Sequence, residues 1–94
     1  MEIPGSIALD NVLQTAIAAI ETEGGRITHA EGAYLAAEFS SPAFGFVDDL
    51  EIRIDQASGR LHFRSASRVG YGDGGANRRR VDRLRAELQT RLAR

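Results

Sequence analysis

Apolar residues first recur at helical spacing: Ile7, Val12, Leu13, Ala16, Ile17 and Ile20 fall on one stripe. Ser6 is placed to cap this helix, and Asp10 lies near its start, where a negative charge is favoured. Gly24-Gly25 ends it, because glycine accepts the left-handed cap conformation. The period then changes to two. Residues 26–30 and 33–40 read as strands around a Glu31-Gly32 turn, and Ser41-Pro42 stops the second. Residues 43–46 form a tight aromatic connection. Over 47–55, Leu50, Ile52 and Ile54 face one way and Asp49, Glu51 and Arg53 the other. After a turn at residues 56–59, the strand over 60–68 turns Leu61 and Phe63 inward and Arg60, His62, Arg64 and Arg68 outward. Closing a hairpin over that turn sets Ile54 opposite Leu61, Ile52 opposite Phe63 and Glu51 opposite Arg64, so the apolar faces match. Asn77 is placed to cap a last helix whose seam is Val81, Leu84, Leu88 and Leu92.

The predicted order is α-β-β-β-β-α, an α+β fold. Its simplest form is a four-stranded antiparallel meander with both helices packed on one face. The other face then carries Asp49, Glu51, Arg53, His62, Arg64 and Arg68. The 94 residues suit a single domain over 1–94, with no repeat, low-complexity tract or linker. A chain of this size buries only about 60–65% of the surface its unfolded form exposes, which leaves little room for a deep enclosed pocket.

Composition adds three constraints. There is no cysteine, which excludes disulfides, a thiolate nucleophile and cysteine-ligated metal. No apolar run is long enough to span a bilayer, and no secretory signal layout opens the chain. A soluble cytoplasmic protein is therefore expected, or a periplasmic or membrane-associated one if a longer precursor exists. The net charge is −1, yet it is unevenly spread. Residues 1–59 hold ten acids and two arginines, and residues 60–94 hold ten arginines and three acids. The halves should attract one another, within one fold or between two copies. All the cations other than histidine are arginines, planar forks suited to carboxylate and phosphate.

Candidate chemistry concentrates in residues 64–80, where a strand runs through a glycine-dense, arginine-rich loop into a helix. Gly70-Tyr71-Gly72-Asp73-Gly74-Gly75 spells G-x-G-x-x-G, but no second parallel strand or ribose-binding acid follows, so a dinucleotide site lacks its context. A glycine-rich turn at a helix start remains, either a turn that needs positive φ or a seat for an anion. Arg78, Arg79 and Arg80 occupy the first helical turn, where a cation opposes the macrodipole by up to about 1 kcal/mol. An internal acid or a bound anion should compensate, with one arginine bracing the fold and the others solvated.

Parity puts Asp48 on the helix side, opposite Ser67. A carboxylate facing a core must be paired, and Ser65, Ser67, Asn77 and Arg80 are its partners in reach, a polar knot tying the third and fourth strands to the last helix. No histidine lies near by spacing, so Asp48 as a base for a serine has little support. His29 and His62 show no metal-ligand spacing, and no metal or cofactor is expected. Tyr34, Phe39, Phe44, Phe46 and Phe63 read as core or core-edge packing, and Tyr71 as a loop aromatic that covers the anion seat or meets a partner.

Two blocks together carry a resemblance. Phe44-Gly45-Phe46-Val47-Asp48-Asp49-Leu50-Glu51, then Arg64-Ser65-Ala66-Ser67-Arg68-Val69-Gly70-Tyr71 through Asn77-Arg78-Arg79-Arg80-Val81, resemble the family termed domain of unknown function 1499. The likeness covers most of residues 26–90. Gly72, Gly74 and Ala76 stand where the family carries larger residues, and an upstream cysteine-containing segment common in the family has no counterpart before Met1. The resemblance implies no enzymology.

The expectation is a non-catalytic binding or assembly module. Its ligand or partner surface comprises Asp49, Arg64, Arg68, Gly70, Tyr71, Gly72, Asp73, Arg78 and Arg79, and its structural network Asp48, Ser65, Ser67, Asn77 and Arg80. The partner is a small anionic ligand, another protein or a second copy. Two alternatives remain: a small hydrolase or lyase using Asp48 or Asp49 with Arg64, Arg68 and Tyr71, and an RNA-binding module, which the near-neutral total charge disfavours.

Overall fold

The computed structural model describes residues 1–3, 7–41, 46–68 and 75–93. Its elements follow in the order α1 (Leu9–Thr22), β1 (Arg26–Glu31), β2 (Tyr34–Ser41), β3 (Phe46–Asp55), β4 (Arg60–Ser67) and α2 (Ala76–Leu92). The strands form one open antiparallel sheet in the order β1-β2-β3-β4. This is the α-β-β-β-β-α meander of an α+β fold, and its tight hairpins follow from the glycines at turns. Gly32 and Gly59 have φ of 59° and 68°, which lets short connections reverse the chain.

Both helices cover one face. Val12, Ala16, Ala19 and Ile20 of α1 and Leu84, Leu88 and Leu92 of α2 meet Leu35, Ala37, Phe39, Leu50, Ile52, Ile54 and Leu61 of the sheet. The β3–β4 register pairs Ile54 with Leu61, Ile52 with Phe63, Glu51 with Arg64 and Asp48 with Ser67. One face of the hairpin is therefore apolar and the other polar.

At Gly25, between α1 and β1, a Cβ would lie 2.5 Å from Ile20 Cγ2 and 2.7 Å from Phe39 Cζ. Glycine there lets the chain enter β1 flush against the core. The sequence pattern does not show that Met1–Ile3 run along β4: Leu61 N donates to Met1 O and Ile3 N to Gly59 O, both at 2.7 Å.

Four expectations need correction. Asn77 is not a cap but a buried residue within the first turn of α2, whose N-cap is Gly75 at φ 84° with no side-chain capping bond. The side-chain amide of Asn77 is drawn onto β4 instead. Tyr34 and Phe46 are not core residues, being 37% and 50% exposed. Tyr34 stands on the helix-free face, and Phe46 begins β3 beyond the buried cluster. Arg68 lies one residue past the end of β4. Nor is α1 capped by Ser6: its helix starts at Leu9 and the N-cap position falls on Ala8, whose methyl offers no capping bond. Ser6 and Phe44 themselves lie outside the described residues. Among the described residues, no helix is long and apolar enough to cross a membrane.

Candidate functional site: a polar corner where the sheet meets α2

Along the helix-facing side of β3 and β4, apolar residues give way to polar ones. Ile54, Ile52 and Leu50 lead to Asp48, and beside them Leu61 and Phe63 lead to Ser65 and Ser67. The polar end lies under the start of α2. Arg80, on that first turn, reaches down to Asp48, with NH2 2.9 Å from Oδ2 and side chains only 12% and 14% exposed. Its guanidinium also sits over the Phe39 ring, 4.5 Å from the centroid. Phe39 and Asp48 are direct neighbours across β2 and β3, so one planar cation meets a π face and a carboxylate together.

Asn77 completes the corner. Its Oδ1 accepts from Ser65 Oγ at 2.6 Å and from Arg80 NH1 at 2.8 Å, while its Nδ2 donates to Ser67 Oγ at 3.0 Å. Asp48, Ser65, Ser67, Asn77 and Arg80 thus form one connected network between two strands and a helix. Asn77 is the buried polar residue of the described chain, at 9% exposure. Burying an amide is tolerable here because both of its ends are bonded. No buried side-chain polar atom among the described residues lacks a partner.

Asp49, next in β3, points to the opposite face. It accepts from Arg68 Nε at 2.9 Å and NH2 at 2.8 Å, a two-point contact. Arg68 also bonds Glu38, which in turn bonds Arg26. The row Arg26–Glu38–Asp49 is in direct register across β1, β2 and β3. Ala66, opposite Asp49, is too small to reach it, which leaves that carboxylate to the arginine beyond the strand end. The hydrogen bond from Arg68 holds the Asp49 carboxyl below its ordinary pKa, and Asp49 and Glu38 hold the Arg68 guanidinium more firmly protonated.

Two adjacent acids therefore fix both borders of residues 69–74. Asp49 holds Arg68 on the open face, and Asp48 holds Arg80 on the helix face. Gly70, Tyr71, Gly72 and Asp73 themselves lie outside the described residues.

The other candidates separate. Arg78 points outward, with its side chain 86% exposed and Nε 4.0 Å from Asp82. Arg79 folds towards the helix start, where NH1 would lie 3.1 Å from a Cβ at residue 75. Arg64 stands on the open face opposite Glu51, away from Arg78 and Arg79. Of the two histidines, His29 Nε2 lies 3.4 Å from Glu31 and His62 Nε2 lies 3.9 Å from Asp55. Among the described residues, no three acidic or histidine side chains cluster to hold a metal.

Sequence reasoning missed Arg26, Glu38 and Phe39 as members of these networks. Their signal lay in the β1–β2–β3 register, which sets Arg26 beside Glu38 beside Asp49 and Phe39 beside Asp48.

A family model described as protein of unknown function (DUF1499) matches residues 5–88 of the chain. No curated protein matches it.

Proposed function

Since this chain belongs to the DUF1499 family, described only as proteins of unknown function, we propose a role from its geometry: a non-catalytic binding module whose arginine-bearing corner seats an anionic group of a ligand or protein partner. The observation that carries this reading is the division of labour among the arginines of α2's first turn. Arg80 is committed to Asp48, Asn77 and Phe39, whereas Arg78 is displayed to solvent. That turn contains no acid, and its N-cap supplies no side-chain acceptor. An anion there would meet the helix dipole, the first backbone N–H groups and the Arg78 guanidinium together.

The hydrolase alternative needs Asp48 or Asp49 to move a proton. Each instead holds a guanidinium, which favours a brace over a base.

Calorimetric titration with inorganic phosphate and with acetate tests the reading. Arg78→Ala with Arg79→Ala should weaken phosphate binding by about tenfold, the effect of losing charge-assisted hydrogen bonds. No heat with either anion, or equal heat in the variant, contradicts the anion seat.

A further inference from the structure

The helix-free face of the sheet carries a second concentration of cations, separated from α2 by the sheet itself. On this face Tyr34, Arg53 and His62 form one row across β2, β3 and β4, and Ala36, Glu51 and Arg64 form the next. Ala36 leaves a gap between taller neighbours. Tyr34, Glu51, Arg53, His62 and Arg64 line a shallow depression of about 380 Å³. That volume lies near the lower end for small-molecule sites, roughly 300–1,000 Å³.

The pairing within these rows is unexpected. Glu51 stands directly opposite Arg64, yet no ion pair joins them, and among the described residues Arg53 and Arg64 make no ion pair or side-chain hydrogen bond. Partial burial first, and then the Glu51 carboxylate as a neighbouring charge, raise the Tyr34 phenol above its ordinary pKa. His62 turns its Nε2 towards Asp55. Arg53 and Arg64 are thus left without an acid at ion-pair distance among the described residues.

Arg53 and Arg64 are diagonal neighbours, which places the two residues about 7–8 Å apart with their Cβ atoms somewhat closer, near enough for both forks to meet on one bound group. Each guanidinium offers N–H donors and no acceptor, so whatever they hold must supply acceptors. The Tyr34 ring adds a flat wall for the carbon part of such a molecule.

We propose that Arg53 and Arg64 form a second oxyanion site on the open sheet face, taking a small phosphate- or carboxylate-bearing molecule into the depression walled by Tyr34, Glu51 and His62. Glu51 limits its affinity, as the one acid lining it. This site is independent of the anion seat at α2, and opposite signs of response to substitution distinguish it from general surface charge.

Titration of the full chain with pyrophosphate and with citrate, followed by calorimetry and by the arginine Nε–H resonances, tests it, and the two probes separate phosphate from carboxylate selectivity. Arg53→Ala with Arg64→Ala should weaken binding of the preferred probe about tenfold, as loss of charged hydrogen-bond donors does. Glu51→Gln should tighten it by about two- to fivefold, the scale of one exposed charge. Arg78→Ala with Arg79→Ala should leave the Arg53 and Arg64 resonance shifts unchanged. Absence of shifts at Arg53 and Arg64 with both probes, or Glu51→Gln leaving affinity the same or weaker, overturns the proposal. Loss of heat only in the Arg78, Arg79 variant does so as well, and assigns the anion to α2 alone.

Discussion

Asp48 and Asp49 are consecutive, chemically identical and opposite in circumstance, because successive strand residues face opposite sides. Asp48 and its arginine are nearly enclosed, and removing one partner strands the other charge. Asp48→Asn should therefore lower unfolding free energy by about 2–4 kcal/mol in urea melts. Asp49→Asn should cost much less at neutral pH, since its pair with Arg68 is solvent-exposed and screened. What Asp49 contributes depends on pH with a definite sign. Its pKa is lowered in the folded state, so its stabilisation is complete above the unfolded value of about 3.9 and is lost as pH falls through the lower folded value. The difference in urea midpoint between wild type and Asp49→Asn should accordingly be constant from pH 7 to 5 and shrink below about pH 4. A difference that grows on acidification would refute the pairing. Asp55, lowered by the Ser58 N–H, adds to the same acid-side loss.

The elements show why much of the fold could be read in advance. In β3 and β4 the alternation is clean, the hairpin loop is short and only one register sets apolar against apolar, so Leu50, Ile52, Ile54 and Leu61 were assignable from spacing alone. The same parity put Asp48 on the helix side and gave its reach to Arg80. Helix ends were less legible. Asn77 has the chemistry of a cap, but tertiary bonds to Ser65, Ser67 and Arg80 outweigh a local one, and Gly75 turns the chain with a φ of 84° instead. Tyr34 was misread because aromatic residues read as core, although its parity, opposite to that of Leu35, Ala37 and Phe39, already put it on the open face. Phe46 shares the helix-side parity of Leu50, and neither parity nor propensity reports where the helices stop covering the sheet. The Arg26–Glu38–Arg68–Asp49 chain needed the pairing of all four strand regions, and β1 carries an irregularity between Ile27 and His29 that spacing does not reveal. Two glycine substitutions check the element junctions. Gly25→Ala should destabilise by about 1–3 kcal/mol, because its methyl would overlap Ile20 and the Phe39 ring. Gly24→Ala meets no atom and loses only the ease of its φ of 88°, about 1 kcal/mol. Thermal melts in which Gly24→Ala proves the more damaging would contradict the close approach at Gly25.

At the scale of the whole molecule, the acidic and basic halves of the sequence are joined within the chain. Arg60 meets Glu2, Arg68 meets Glu38 and Asp49, Arg80 meets Asp48, and Arg83 meets Glu23. Attraction between halves that could have joined two copies is thus met internally, and the exposed pairs among these should weaken as salt rises from 0.05 to about 1 M, where the screening length falls to about 3 Å. Sedimentation should show a mass independent of salt, while urea midpoints decline modestly. A dimer that dissociates with salt would show that charge is used between chains. Asp48 and Arg80 meet as one largely buried ion pair that ties β3 to α2. A double-mutant cycle on Asp48→Asn and Arg80→Gln, read by urea unfolding, tests this most directly. Strong coupling is expected, about 1.5–3 kcal/mol, with the double variant nearly as stable as the worse single one. Additive losses would mean that the two side chains act separately and that the Asp48 carboxylate is free for other chemistry.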